Sequence, residues 1–218
     1  MSDSFSVVIS AAGIGSRLGM NMPKVLVPVN GRTIISHQLS LLCDVPDIIV
    51  VVGFKARDVI SHINEIGRKV SIAFNHRYLE TGTAASLRIG AMIANKTVIA
   101  LDGDVLIDRC SLRKLIEHPR DCLGLGQVES TAPVYAKVYS GVVTNLSQNH
   151  ADRTNHEWTG LAKLKRSDIL GFNTYHVFES ISKLLPIDGI RSNSIEIDEP
   201  EDLDKAHAWA RNYLHHQS

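Results

Sequence analysis

Three things are scarce in this chain, and each absence removes a class of function. Net charge is the first: 23 Lys and Arg balance 23 Asp and Glu, so bulk charge gives no nucleic-acid-binding surface. Cysteine is the second. Cys43, Cys110 and Cys122 show no CxxC spacing and cannot all pair with one another, which fits buried thiols in a reducing compartment and not a disulfide scaffold. Long apolar runs are the third. None approaches the roughly 20 residues of a membrane span, and MSDSFS carries no basic stretch ahead of an apolar one, so no signal peptide is expected. The expectation is a cytoplasmic protein without a membrane or nucleic-acid partner. The ten histidines lack metal-ligand spacing, His215-His216 reads as an exposed tail, and no repeat or Pro/Ser-rich linker divides the chain.

Apolar residues make up 44% of the 218, enough for one sizeable core. Val7-Val8-Ile9, Asp47 to Gly53, Val70 to Phe74 and Thr97 to Leu101 read as buried strands. Helical patterns separate them, over Thr33 to Leu42, Arg57 to Ile66 and Thr83 to Ala94. Strands alternating with helices predict an α/β fold with a doubly wound, mostly parallel, Rossmann-like sheet. The second half is less regular. Gly124 to Gln127, Val134 to Val143 and Ser194 to Asp198 read as strands, and Glu199-Pro200-Glu201-Asp202 opens a last helix. That half is expected to be a small mixed α+β region.

Chemistry concentrates in the first turn. After Val7-Val8-Ile9 come Ser10-Ala11-Ala12-Gly13-Ile14-Gly15-Ser16, then Arg17, then Pro23-Lys24. Small residues let backbone approach a ligand, and successive N–H groups in such a loop form a concave anion site. Arg17 and Lys24 add mobile positive charge, so the loop reads as a phosphate cradle. It is not a P-loop, because no Lys-Ser or Lys-Thr follows the glycines. It is not a dinucleotide fingerprint either. Gly13, Gly15 and Gly19 are spaced one residue too long, and Gly53-Phe54-Lys55 stands where an acid should close the second strand.

AAGIGSRLG followed by PKVLVPVNG resembles the signature loop of the nucleotidyltransferases that activate sugar phosphates and small alcohol phosphates. The resemblance continues through Gly82-Thr83-Ala84 (a base-reading segment), Leu101 to Val105 (a metal-binding strand end), Glu157-Trp158-Thr159-Gly160 (an acceptor-binding segment) and Ile195 to Leu203 (a closing motif). It implies one domain over 1–218, with a nucleotide-binding half at about 1–108, an acceptor-binding region at about 109–195 and a closing strand and helix at 195–218. It further implies that Ala11, Ala12, Gly13, Gly15, Ser16, Gly82 and Thr83 bind nucleotide and that Arg17 and Lys24 are catalytic. Asp104 and Asp198 would hold Mg²⁺, and Glu157, Trp158 and Gly160 would bind the acceptor.

These residue types suit the chemistry. Nucleotidyl transfer brings two anionic phosphates together, so positioning and charge stabilisation carry most of the catalysis. Mg²⁺ takes oxygen ligands and keeps several waters, so one or two carboxylates suffice. Each residue also has a plainer reading. An Asp beside Gly103 can cap a turn, and acid-Pro-Glu-Asp is an ordinary helix start. Trp158 can pack a wall, and Lys163, Lys165 and Arg191, candidates for binding the acceptor's phosphate, can equally be solvated charges. Asp102 and Glu196 are reserve ligands, and Asp108 reads as solvated or capping.

The expected activity is Mg²⁺-dependent transfer of an NMP to a small phosphorylated or phosphonylated acceptor, with pyrophosphate released. SNSIEIDEPEDL is most similar to the bacterial cytidylyltransferases, which favours CTP. Gly82-Thr83-Ala84 keeps a uridylyl- or guanylyltransferase acting on sugar 1-phosphates open. A non-catalytic nucleotide-sensing domain is the alternative of another class. The oligomeric state is open, a homodimer included.

Overall fold

The computed structural model describes residues 4–214; His215-His216 lies outside them. The N-terminal half contains β1 (Phe5–Ala11), the short hairpin β2 (Pro28–Val29) and β3 (Arg32–Thr33), α1 (Ile34–Leu41), β4 (Ile48–Val52), α2 (Ala56–Ile66), β5 (Ser71–Phe74), α3 (Thr83–Ala91), β6 (Thr97–Asp102) and β7 (Val105–Ile107). After it come α4 (Arg109–Glu117), β8 (Cys122–Gln127), β9 (Tyr135–Tyr139), β10 (Val142–Ser147), β11 (His156–Lys165), α5 (Arg166–Leu170), α6 (Val177–Ile181), β12 (Ile187–Arg191), β13 (Ser194–Glu196) and α7 (Pro200–Tyr213). Among the described residues, no helix is long and apolar enough to cross a membrane.

All five residues of β4 are buried, as a strand covered on both faces requires. Alternation along β1 sorts the core. Val7 and Ile9 face one layer with Ile35 and Leu39 of α1, Val59 and Ile63 of α2, and Leu112 and Leu115 of α4. Val8 faces the other with Ala84, Leu87 and Ala91 of α3. Gly90 lets α3 approach closely: a Cβ there would sit 2.4 Å from Val8 Cγ1. A third cluster joins α7, through Ala206 and Ala210, to Leu18, Val27, Val29, Leu106 and Ile197. It ties the chain's last helix to the segment that follows β1.

The expected doubly wound, mostly parallel sheet is overturned. Strand order is β5-β4-β1-β6-β11-β8-β12-β10-β9, and β9 returns to pair with β11. Parallel pairing is confined to β5–β4, β4–β1, β1–β6 and β12–β8. The strands β11, β8, β12, β10 and β9 close into a five-stranded mixed barrel, and the parallel strands are attached to it through β6.

Two local features close the ring. Ser140 and Gly141 both have positive φ (48° and 81°), the conformation of a tight hairpin turn, and they fold β10 antiparallel onto β9. The ten-residue β11 carries a bulge between Trp158 and Ala162. One end of it pairs with β6, and the other reaches β9 through Glu157 opposite Tyr135. Bulges bend a strand and increase its twist, which is how a sheet turns a barrel corner.

Candidate active site

The loop leaving β1 turns through two residues in the left-handed region, Gly15 (φ 66°) and Gly19 (φ 65°), on either side of a single 3₁₀ turn, Ser16–Leu18. Gly15 matters for a second reason. A Cβ there would lie 2.6 Å from Lys24 Cγ, so only glycine lets the Lys24 stem cross the loop at this height. Lys24 itself follows Pro23 in a second 3₁₀ turn, Lys24–Leu26. Its Nζ donates to Asp104 Oδ2 at 2.9 Å and also to Asp198 Oδ1. Arg17, with a side chain 52% exposed, reaches Asp198 Oδ2 at 2.8 Å.

Asp104 and Asp198 meet because a short ladder brings together segments far apart in sequence. β13 runs antiparallel to β7, with Glu196 opposite Val105, and the Ile197 N–H donates to the Asp104 carbonyl at 3.0 Å. The Asp202 carboxylate then accepts from the backbone N–H groups of Asp198 (3.1 Å) and Glu199 (3.0 Å), fixing the strand end where α7 begins.

One carboxylate oxygen from each of Asp104, Glu196 and Asp198 lies within 4.8 Å of the others. This cluster can coordinate a divalent metal. The donors are all hard oxygens, some open to water, which fits Mg²⁺ better than a soft metal.

Charge is crowded here. Burial, then the Asp104 carboxylate, pushes the Asp102 carboxyl up, with Lys24 opposing. Glu196 is pushed up by enclosure in the cleft and by the Asp104 and Asp198 carboxylates, although its surface is still open to solvent, which tempers the shift. Burial alone would lower the Lys24 ammonium, but Asp104 and Asp198 outweigh it and the net direction is up.

These groups open onto a cleft of about 610 Å³. The small-residue loop (Ala11, Ala12, Gly13, Gly15, Ser16) lines it together with Arg17 and Lys24; Gly82 and Thr83 line it from α3, and Trp158 and Gly160 from β11. Asp102, Asp104, Glu196 and Asp198 lie between these walls. Gly160 (φ 76°) sits at the bulge, and a Cβ on it would lie 2.6 Å from Asp102 Oδ2.

Glu157 is placed differently: it is buried and outside the cleft lining. Its carboxylate accepts from the backbone N–H groups of Glu129 (3.1 Å) and Ser130 (3.4 Å) and from the Ser130 hydroxyl, holding in place the loop that carries Ser130 into the cleft. The Trp158 indole N–H donates to the Leu161 carbonyl across the bulge at 2.9 Å. Lys163 points elsewhere, its ammonium donating to the Ile116 (2.7 Å) and His118 (2.5 Å) carbonyls at the end of α4. Asp108 caps α4, accepting from the Ser111 N–H at 2.6 Å.

One wall had no signal in the sequence. Tyr175, His176, Val177 and Phe178 line the cleft; they belong to Ser167 to Leu184, a stretch whose sequence shows helical periodicity and no motif. They dock on the start of α3: the Ala84 N–H donates to the Tyr175 carbonyl and the Val177 N–H to Thr83 Oγ1, both at 3.2 Å. The aromatic residues on either side of His176, Tyr175 ahead of α6 and Phe178 within it, mark no site by themselves.

The family model of the MobA-like NTP transferase domain matches residues 7–163, well over half of the chain. The chain belongs to that family. Among relatives of this NTP transferase domain, the bifunctional protein GlmU of Syntrophomonas wolfei subsp. wolfei is 35% identical over 132 residues, covering 59% of this chain and 28% of the relative. The CMP-5'-(3-aminopropyl)phosphonate synthase of Streptomyces rubellomurinus is 32% identical over 120 residues, covering 51% and 19%. The NTP transferase domain thus spans less than a third of the length of these two relatives. Among solved structures, the inositol-1-phosphate CTP transferase from T. maritima superposes with a TM-score of 0.80 over 97% of both chains at 18% identity, a likeness of fold.

Proposed function

We propose that this protein is a Mg²⁺-dependent nucleotidyltransferase that moves a nucleoside monophosphate, CMP from CTP in first place, onto a small phosphorylated or phosphonylated acceptor and releases pyrophosphate. The observation that carries this reading is the position of Lys24. Its ammonium stands between the Asp104 and Asp198 carboxylates, at the edge of the glycine loop and inside the cleft. In this reading the Lys24 cation meets the α-phosphate of a loop-bound triphosphate, next to carboxylates able to hold a metal.

In this reading the loop N–H groups from Ala11 to Ser16 cradle the β- and γ-phosphates. Lys24 leaves its carboxylates to neutralise the α-phosphate, and Arg17, whose side chain is half exposed, follows the leaving pyrophosphate. Asp104 and Asp198, with Glu196 beside them, would hold Mg²⁺, which when bound supplies further positive charge to the phosphates. An acceptor phosphate oxygen forms the new bond to the α-phosphorus as the bond to the β-phosphate bridging oxygen breaks. The nucleophile is already an anion, so no side chain is required as base. Thr83 and Gly82 supply the nucleotide wall, and Trp158, Gly160 and the Ser130 loop held by Glu157 supply the acceptor side.

The cleft volume lies within the range of small-ligand sites. Two relatives support a cytidylyl group by what their names say they make or use, the phosphonate synthase of S. rubellomurinus and the CTP transferase from T. maritima. The test is a matrix of the four ribonucleoside triphosphates against phosphate and phosphonate acceptors with Mg²⁺, read by product mass. A product with the mass of acceptor plus CMP less one water, formed fastest with CTP, is expected. Product formed equally from every triphosphate would remove the cytidylyl assignment. Triphosphate binding without any product would leave a sensing domain.

A further inference from the structure

We propose that Gln38 is the positioning residue of the metal-binding turn. Gln38 lies on the buried face of α1 at 1% exposure. Its Nε2 donates to the carbonyls of Asp102 and Val105, both at 2.8 Å. These are the residues on either side of Gly103-Asp104, so one side-chain amide uses both of its hydrogens to pinch the turn that presents Asp104. The orientation is set by its partners, because turning the amide over would point Oε1 at two carbonyl oxygens.

The amide is costly where it stands. Gln38 Oε1 is buried without a hydrogen-bond partner, and an unpaired polar atom in a core is unfavourable. A leucine-like residue would avoid that penalty but would leave the Asp102 and Val105 carbonyls without their donors. The rest of the turn is fixed by backbone: the Gly103 N–H donates to the Ser10 carbonyl at 3.1 Å and the Asp104 carbonyl accepts from Ile197 at 3.0 Å. A Cβ on Gly103 would meet Ser10 O at 2.5 Å and Val25 Cγ1 at 2.6 Å, so the turn has no slack toward the loop. Gln38 is the side chain that holds it from the α1 side. It lies outside the cleft lining, and acts by fixing the direction in which Asp104 leaves the turn.

This inference rests on the metal assignment above, so its test reads metal binding and not turnover. Mn²⁺ is titrated into the full chain without nucleotide and followed by electron paramagnetic resonance. Gln38→Met keeps the volume and removes both donors, and Gln38→Asn keeps the amide one methylene short. Loss of a hydrogen-bond partner of a ligand typically weakens a metal site by about 10- to 100-fold, and Gln38, which holds the two residues flanking Asp104, belongs at the low end of that range. Gln38→Met is therefore expected to raise the Mn²⁺ dissociation constant by about 10-fold or more, with Gln38→Asn in between. Leu39→Ala, on the same helix and equally buried, lowers the melting temperature and leaves Mn²⁺ affinity within about twofold.

Wild-type affinity in Gln38→Met, or an equal loss in Leu39→Ala, overturns the proposal. If Gln38→Met does not fold, the wild-type side-chain amide resonances decide: slow exchange and a shift on adding Mg²⁺ support the clamp, and fast exchange or no shift overturns it. Failure of the wild type to bind Mn²⁺ removes the metal assignment and this proposal together. Loss of turnover with Mn²⁺ affinity retained counts only against the proposed function.

Discussion

Replacing Gly82 with alanine is a sharp structural perturbation of the cleft. Gly82 has φ −88° and ψ −167°, which any residue adopts, so the change carries no backbone penalty. The difficulty is steric. A Cβ there would stand 2.0 Å from the Tyr175 carbonyl oxygen and 2.7 Å from its carbon, where ordinary contact begins at 3.4 Å. The atom in the way is backbone, so the Tyr175 segment must retreat by more than an ångström. That retreat breaks the Ala84 N–H to Tyr175 carbonyl bond and the Val177 N–H to Thr83 Oγ1 bond. At about 1 kcal/mol each, the loss is about 2 kcal/mol. Expressed globally in a chain of this size, that lowers the melting temperature by roughly 4–8 °C. Expressed locally, it releases the 175–178 wall and speeds its amide exchange by about 30-fold. Thr83→Val removes one of the two bonds and should show about half the free-energy loss. Hydrogen exchange with mass readout and a thermal melt on the same samples measure both. A Gly82→Ala protein that melts within a degree of wild type, with unchanged exchange over 175–178, would refute the reasoning.

Two further predictions concern groups away from the chemistry. Lys163→Met should cost about 1–3 kcal/mol by leaving the Ile116 and His118 carbonyls without their donor, with turnover unchanged below the melting transition; a selective rise in KM for the acceptor would contradict this placement. The Cys122 thiol is pushed up to about 12, by burial first, so folded protein treated with iodoacetamide at pH 8 should be alkylated at the exposed Cys43 and Cys110 and spared at Cys122. Modification of Cys122 at a comparable rate, without unfolding, would show that its burial is misjudged.

Much of the loop wall of the cleft was legible in the sequence because it is local. A buried strand, small residues with glycines, Arg17 and Pro23-Lys24 lie within a single turn, and that turn folds next to the strand ends. Asp108 and the α7 start could be read as caps for the same reason. The barrel was not legible, because its closure depends on register. A bulge at Trp158 to Ala162 and the pairing of Glu157 with Tyr135 turn an expected open sheet into a closed ring, and neither leaves a mark on hydrophobic periodicity. The direction of Glu157 was hidden by alternation: Trp158 lines the cleft, and its neighbour on the strand turns to the 129–130 backbone. Gln38 reads as one polar position in an apolar helix until the two carbonyls it bridges are seen 64 and 67 residues away.

The central claim is that Lys24, poised between Asp104 and Asp198, serves nucleotidyl transfer. It is tested most directly by pyrophosphate release from CTP, Mg²⁺ and the acceptor panel, with wild type and Lys24→Ala side by side. Acceptor-dependent release by the wild type is expected, with a loss of at least about 100-fold in Lys24→Ala and the far-ultraviolet spectrum and cooperative melt of the variant retained. Near-normal release by Lys24→Ala would contradict it.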